Sequence, residues 1–184
     1  LVGYRKKVVR ENLKNSFPEK TDAELLRLEK DFYRHFTDIF IETIKLLHVS
    51  DKEMEKRMHF SNPEMISDFV AQGKSVVILL GHYGNWEWIS SIPLWVAEGV
   101  TSVQIYHKLR NDNTNRLILN MRERLGAISV EMRKTARYIT EITNTNQVSV
   151  IGFIADQSPK KKEVRYFLPF LHHRTPILVG TEKI

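Results

Sequence analysis

Cysteine is missing from all 184 residues. Its absence excludes a disulfide framework, a thiolate metal site and a thiol nucleophile. Long hydrophobic runs are missing too. The longest uninterrupted apolar stretch, Val76 to Leu80, is strand-sized, far short of the roughly 18 residues that a membrane-crossing helix needs. No signal peptide, internal repeat or low-complexity linker is visible. What remains is 42% hydrophobic and 27% charged residues, the composition of one ordinary globular domain with a sizeable core. Lys plus Arg number 28 against 22 Asp plus Glu, a formal charge of +6. That excess favours polyanionic partners: nucleic acid, an anionic membrane face or a phosphorylated substrate. The chain starts at Leu1 and stops at Ile184 without a terminating signal, and it is expected to be a piece of a longer protein.

Val9, Leu13 and Phe17 follow one another at helical spacing, and Pro18 ends that helix. Thr21 and Glu24 form a capping box. It starts a long amphipathic helix whose apolar stripe includes Leu25, Leu28, Phe32, Phe36, Ile39, Phe40, Ile44 and Leu47. Ser50 and Glu53 form a second capping box, Asn62-Pro63 predicts another helix start, and Gly73 closes that helix. From residue 75 the pattern changes. A continuous apolar strand, residues 75–80, predicts a sheet covered on both faces. Further strands are expected at 102–106, 128–131, 147–155 and 164–167, with helices at 86–97, 114–125 and 134–142. The alternation predicts an α/β fold: a helical N-terminal segment (1–73) followed by a mostly parallel sheet flanked by helices (74–184), effectively one domain. Ligands of such sheets bind beyond the carboxyl ends of the strands. That rule points to the loops at 81–85, 107–113 and 156–163.

The first loop reads Gly81-His82-Tyr83-Gly84-Asn85-Trp86-Glu87. On one continuous helix, residues five apart diverge by roughly 140°. A strand ending at Leu80 and a helix starting at Asn85 change that geometry. His82 then sits in the turn and Glu87 in the first helical turn, where carboxylate and imidazole can meet. Asn85 suits the N-cap position, and a carboxylate near a helix N-terminus is favoured in its ionised form. Such a His can act as a general base toward a substrate hydroxyl attacking an acyl thioester, a contribution of about 10²–10⁴-fold. Amides at the helix start could stabilise the oxyanion. Each residue also has a plainer reading. A His before a helix is commonly structural, and acidic residues are favoured in a first helical turn regardless of function. The spacing does not match a zincin metal site, so no metal is expected.

At this segment the sequence resembles the bacterial lipid A biosynthesis acyltransferases (lauroyl and myristoyl transferases), within the glycerolipid acyltransferase group marked by His, four residues, then an acid. The block from Val77 to Glu87 carries the resemblance. Arg10-Glu11-Asn12-Leu13, Phe17-Pro18-Glu19, Arg122 with Gly126, Asp156-Gln157, Phe167-Leu168-Pro169-Phe170, Thr175-Pro176 and Gly180 extend it over almost the whole chain. One departure is the pair after the second strand, often Arg-Pro in the family and here His107-Lys108. The resemblance implies acyl transfer from acyl carrier protein or coenzyme A thioester to a hydroxyl of a lipid A precursor. No cofactor is implied beyond that cosubstrate. His82 and Glu87 are then the catalytic pair. Asn85, Lys108, Arg110, Arg122 and Arg124 are substrate or donor contacts, although a solvated surface is the commoner place for each of the four cations. Asp156 supports the site from the next loop, by hydrogen-bonding neighbouring loops or orienting a basic residue, or else has a structural role at a strand end. Lys160-Lys161-Lys162 is a solvated loop or a docking point for an acidic carrier protein or anionic lipid. The resemblance further implies the cytoplasmic face of the bacterial inner membrane, with an anchoring N-terminal helix and a last third of the family fold that this chain lacks.

Three alternatives stand beside this reading. A sister acyltransferase would use a glycerophospholipid or aminolipid acceptor, but many such relatives carry Asp where this chain has Glu87. A basic nucleic-acid-binding module would account for the charge, yet no recognised motif or aromatic–basic alternation supports it, so no nucleic acid is expected. A membrane-associated protein that had lost catalysis would not be expected to retain both His82 and Glu87.

Overall fold

A computed structural model describes residues 3–160 and 164–181. Six α-helices and six strands are assigned among them: α1 (Lys6–Ser16), α2 (Asp22–Lys45), α3 (Asp51–Arg57), α4 (Glu64–Ala71), β1 (Val76–Leu80), β2 (Thr101–Tyr106), α5 (Asp112–Glu123), β3 (Ile128–Glu131), α6 (Thr135–Asn144), β4 (Ser149–Ile154), β5 (Tyr166–Phe170) and β6 (His173–Ile177). The expected α/β class is observed. β1 to β4 form an all-parallel sheet in the order β1-β4-β2-β3. Two capping signals are met, and a third is not: the helix expected to be capped by Asn62 has Pro63 at its N-cap and no side-chain cap. The Thr21 N–H donates to Glu24 Oε2 at 2.8 Å, and Ser50 Oγ accepts from the Glu53 N–H at 3.2 Å.

Contacts divide the chain into two compact units, Leu1–Ile44 with Gln157–Val179 and Lys45–Asp156 with Gly180–Ile184. The second unit holds the parallel sheet and two apolar clusters. In one, Leu46, Val49 and Met54 pack with Trp88, Met121 and Leu125. In the other, Ile142 of α6 packs on Val103, Val130, Ile151 and Phe153, with Tyr138 and Ile139 against them. This second cluster does not reach β1. Val77 and Leu79 therefore point into the open, Leu79 at 67% exposure. The expectation that β1 is covered on both faces is corrected here: β1 lies at the sheet edge, beyond the cover of α6.

Two further expectations change. Residues 86–97 were expected as an α-helix, whereas the structure has a 3₁₀ helix over Trp86–Leu94. Pro93 lies inside it and can donate no N–H. Ser90 Oγ and Ser91 Oγ donate back to the Glu87 and Trp88 carbonyls at 2.8 and 2.6 Å. The strand expected at 164–167 is β5, shifted to Tyr166–Phe170, and it joins no parallel sheet. It pairs antiparallel with β6 in a separate two-stranded hairpin.

Candidate active site

The register of the parallel sheet positions the first group of residues. β1 and β4 are neighbours with Leu80 opposite Ile154, and the Ala155 N–H donates to the Leu80 carbonyl at 3.2 Å. Paired strands lie about 4.8 Å apart, so residues equally far beyond that pair, His82 and Asp156, emerge side by side. His82 Nδ1 lies 2.5 Å from Asp156 Oδ1, and the His82 main-chain N–H donates to Asp156 Oδ2 at 2.7 Å. An ionised carboxylate offers only acceptors. In the neutral ring, Nδ1 therefore carries the proton and Nε2 the lone pair. The Trp86 ring packs edge-on to the imidazole, centroids 5.0 Å apart.

Burial pushes the Asp156 carboxyl upward, but hydrogen bonds from the His82 ring and main chain outweigh it, and the net displacement is downward. Gly81 permits the approach. A Cβ built there would stand 3.0 Å from Asp156 Oδ2, closer than side chains tolerate without displacing the carboxylate. Gly84 has φ +56°, a left-handed value that costs glycine little. Tyr83, just before it, projects into the open at 93% exposure.

Glu87 stands in the first turn of the 3₁₀ helix. Both its oxygens are taken by Arg122 from the last turn of α5: Nε to Oε2 at 2.7 Å and a terminal nitrogen to Oε1 at 2.5 Å. Both side chains are largely buried. A bidentate, desolvated pair of this kind fixes geometry as well as charge. Gln104 Nε2 braces it from β2 by donating to the Arg122 carbonyl at 3.3 Å and to Ser129 Oγ at 3.1 Å. The carboxylate that the structure places on His82 Nδ1 thus comes from Asp156, where the sequence reading put Glu87. Arg122, expected to contact substrate, is the partner of Glu87. Asn85 precedes the 3₁₀ helix without a side-chain cap; its carbonyl accepts from the Trp88 N–H at 3.2 Å.

The remaining cations separate. Arg124 donates to the main-chain carbonyls of Leu46 and Val49, the first at 3.1 Å, so its guanidinium clips the segment after α2. Lys108 and Arg110 line a cleft of about 370 Å³ beyond the ends of β2 and β3, together with His107, Asp112 and Arg133. Lys108 Nζ is 3.2 Å from Asp112 Oδ1. Arg133 is not singled out by any sequence motif, although its place just past β3 satisfies the same strand-end rule that points to the other loops. Lys161 and Lys162 lie outside the described residues, and Lys160 is exposed. Among the described residues no group of three or more His, Cys, Asp or Glu could hold a metal ion, and no helix is long and apolar enough to cross a membrane.

Comparison with protein-family models matches residues 2–184 to the family described as bacterial lipid A biosynthesis acyltransferase. Comparison with curated proteins gives no match.

Proposed function

Because the chain belongs to the bacterial lipid A biosynthesis acyltransferases, we propose that it moves an acyl chain from a carrier protein or coenzyme A thioester to a hydroxyl of a lipid A precursor, with His82 as general base. The observation that carries this reading is the double contact of Asp156 with the ring and main chain of His82. Asp156 holds the imidazole in one tautomer and supports the cation that forms when Nε2 accepts the hydroxyl proton. The hydroxyl oxygen attacks the thioester carbonyl, the tetrahedral intermediate collapses, and the departing thiolate takes the proton back from Nε2. Water and metal are not required in these steps.

Main-chain amides at the start of the 3₁₀ helix, those of Trp86 and Glu87, precede its first internal hydrogen bond. We assign them to the developing oxyanion, where one donor is worth about 10²–10³-fold. Glu87 serves through Arg122, which anchors the start of that helix against α5. The cleft holding Lys108, Arg110 and Arg133 supplies positive charge at the same end of the sheet, suited to the phosphates of the acceptor or donor.

Transfer from acyl carrier protein to a purified lipid A precursor, followed by mass spectrometry, tests the reading. His82→Ala is expected to remove turnover while leaving the folded signal intact. Asp156→Asn is expected to lower kcat by about 10²–10⁴-fold, because the amide can donate to Nδ1 and so favour the wrong tautomer. Undiminished transfer by His82→Ala would overturn the mechanism.

A further inference from the structure

The β5–β6 hairpin presents an unusual surface. Tyr166, Leu168 and Phe170 alternate along β5 and share one face. Their exposures are 56%, 55% and 63%, and Leu171 extends the patch into the turn. No Asp or Glu occurs from Val164 to Ile177, whereas Arg165 and Arg174 do. On the opposite face an exposed cation covers an aromatic: the Arg174 guanidinium carbon stands 4.2 Å above the Phe167 ring centroid. Beside the turn, His172 and His173 share a cleft of about 520 Å³ with Lys14, Lys20 and Asp22. The turn itself is costly. Leu171 and His172 have φ of +46° and +63°, values that two-residue hairpin turns normally fill with Asn or Gly. A leucine kept in that conformation places an apolar side chain at the apex of the hairpin.

We infer that this hairpin is a docking element for an anionic lipid bilayer, lying in the boundary between headgroups and acyl chains. Tyr166, Leu168, Phe170 and Leu171 enter the apolar side, and Arg165 and Arg174 sit among the lipid phosphates. Aromatic rings are favoured at that depth because one part is apolar and another wet. A cation near an anionic membrane surface strengthens attachment by roughly fivefold. Without a carboxylate on its own two strands, the hairpin avoids the repulsion that an anionic surface would otherwise exert. An acidic protein partner would also be drawn to the cations, but it would leave the row of Tyr, Leu and Phe without an apolar counterpart. This inference rests on the hairpin alone and does not depend on the role given to His82.

The lack of cysteine makes the test clean. A single Phe170→Cys substitution gives a unique attachment point for an environment-sensitive fluorophore, and Asn113→Cys in the exposed first turn of α5 gives a control. With vesicles of phosphatidylcholine plus phosphatidylglycerol, the probe at 170 should shift to the blue and become protected from an aqueous quencher, and the probe at 113 should do neither. Vesicles of phosphatidylcholine alone should give at least several-fold weaker binding. Leu168→Ser with Tyr166→Ser, checked for retained secondary structure, should lower sedimentation with anionic vesicles by about tenfold. Arg165→Glu with Arg174→Glu should lower it only where the lipid is anionic. A 170 probe that stays quenchable on bound vesicles would overturn the proposal. So would protection at 170 that needs no lipid and grows with protein concentration, which would assign the face to a second copy, or protection conferred by acyl carrier protein alone.

Discussion

The two compact units bury different things. Every buried apolar side chain among the described residues, from Leu46 to Phe153, belongs to the unit that contains the parallel sheet. In the other unit the one buried residue among those described is a carboxylate, Glu29, at 5% exposure, held by Arg10 Nε at 2.5 Å. That unit nevertheless carries large apolar side chains in quantity, among them Phe32, Phe40, Ile41, Phe170 and Leu171, all exposed. The contrast teaches that sequence hydrophobicity and core formation part company here. An amphipathic helix of 24 residues such as α2 draws most of its stability from what its apolar stripe packs against. The catalytic candidates all sit in the unit with a closed interior, where geometry can be held to a fraction of an ångström. The unit without one offers apolar area to something else, which is what the hairpin proposal supplies.

The comparison can be broken by substitutions read in chemical denaturation. The largest loss is expected from Arg122→Ala, which strands Glu87 in a largely buried position and should cost about 3–5 kcal/mol. Met54→Ala, in the fully buried cluster around Leu46 and Trp88, should cost about 2–5 kcal/mol. At the other extreme, Ile41→Ala in α2 removes a side chain of similar size that is already exposed, and should stay within about 0.5 kcal/mol. Equal losses for Met54→Ala and Ile41→Ala would show that the unit holding α2 buries its apolar stripe after all.

A smaller effect sharpens the same picture through pH. The Asp156 carboxyl is held below its ordinary value in the folded state. Its contribution to stability is therefore complete above the unfolded value, about 3.9, and is lost as pH falls through the folded one. The acid limb of a Tm-against-pH curve should be shallower for Asp156→Asn than for the parent chain, with the curves parallel from pH 6 to 8. A change confined to neutral pH would mean that another group governs the site.

Much of this was legible beforehand, for stated reasons. The α/β class followed from strands alternating with helices, and both Thr21–Glu24 and Ser50–Glu53 announced helix starts that the structure contains. His82 stands out as a candidate because a strand, a glycine-flanked turn and a helix start coincide there. Asp156 was placed near the site, but its contact with His82 could not be derived, because the alignment of residue 82 with residue 156 requires knowing that β4 lies beside β1. Strand order is a global property that local periodicity does not carry. The Glu87–Arg122 pair was hidden in the same way, since it depends on how α5 docks against the 3₁₀ helix. The 3₁₀ geometry itself had a local signal, Pro93 preceded by Ser90 and Ser91, which outlined a helix unable to keep regular α hydrogen bonding. Val77 and Leu79 misled because a strand at a sheet edge can be as apolar as a central one.

The strand order also sets a schedule. β4 occupies the space between β1 and β2, yet it is the last of the four parallel strands to be made. At about 5–20 residues per second, the 74 residues separating His82 from Asp156 take several seconds to emerge. During that interval His82 already exists without its carboxylate, and β1 has no neighbour in its final position. The protein therefore gains its candidate base and the closure of its sheet in one late event, the insertion of β4.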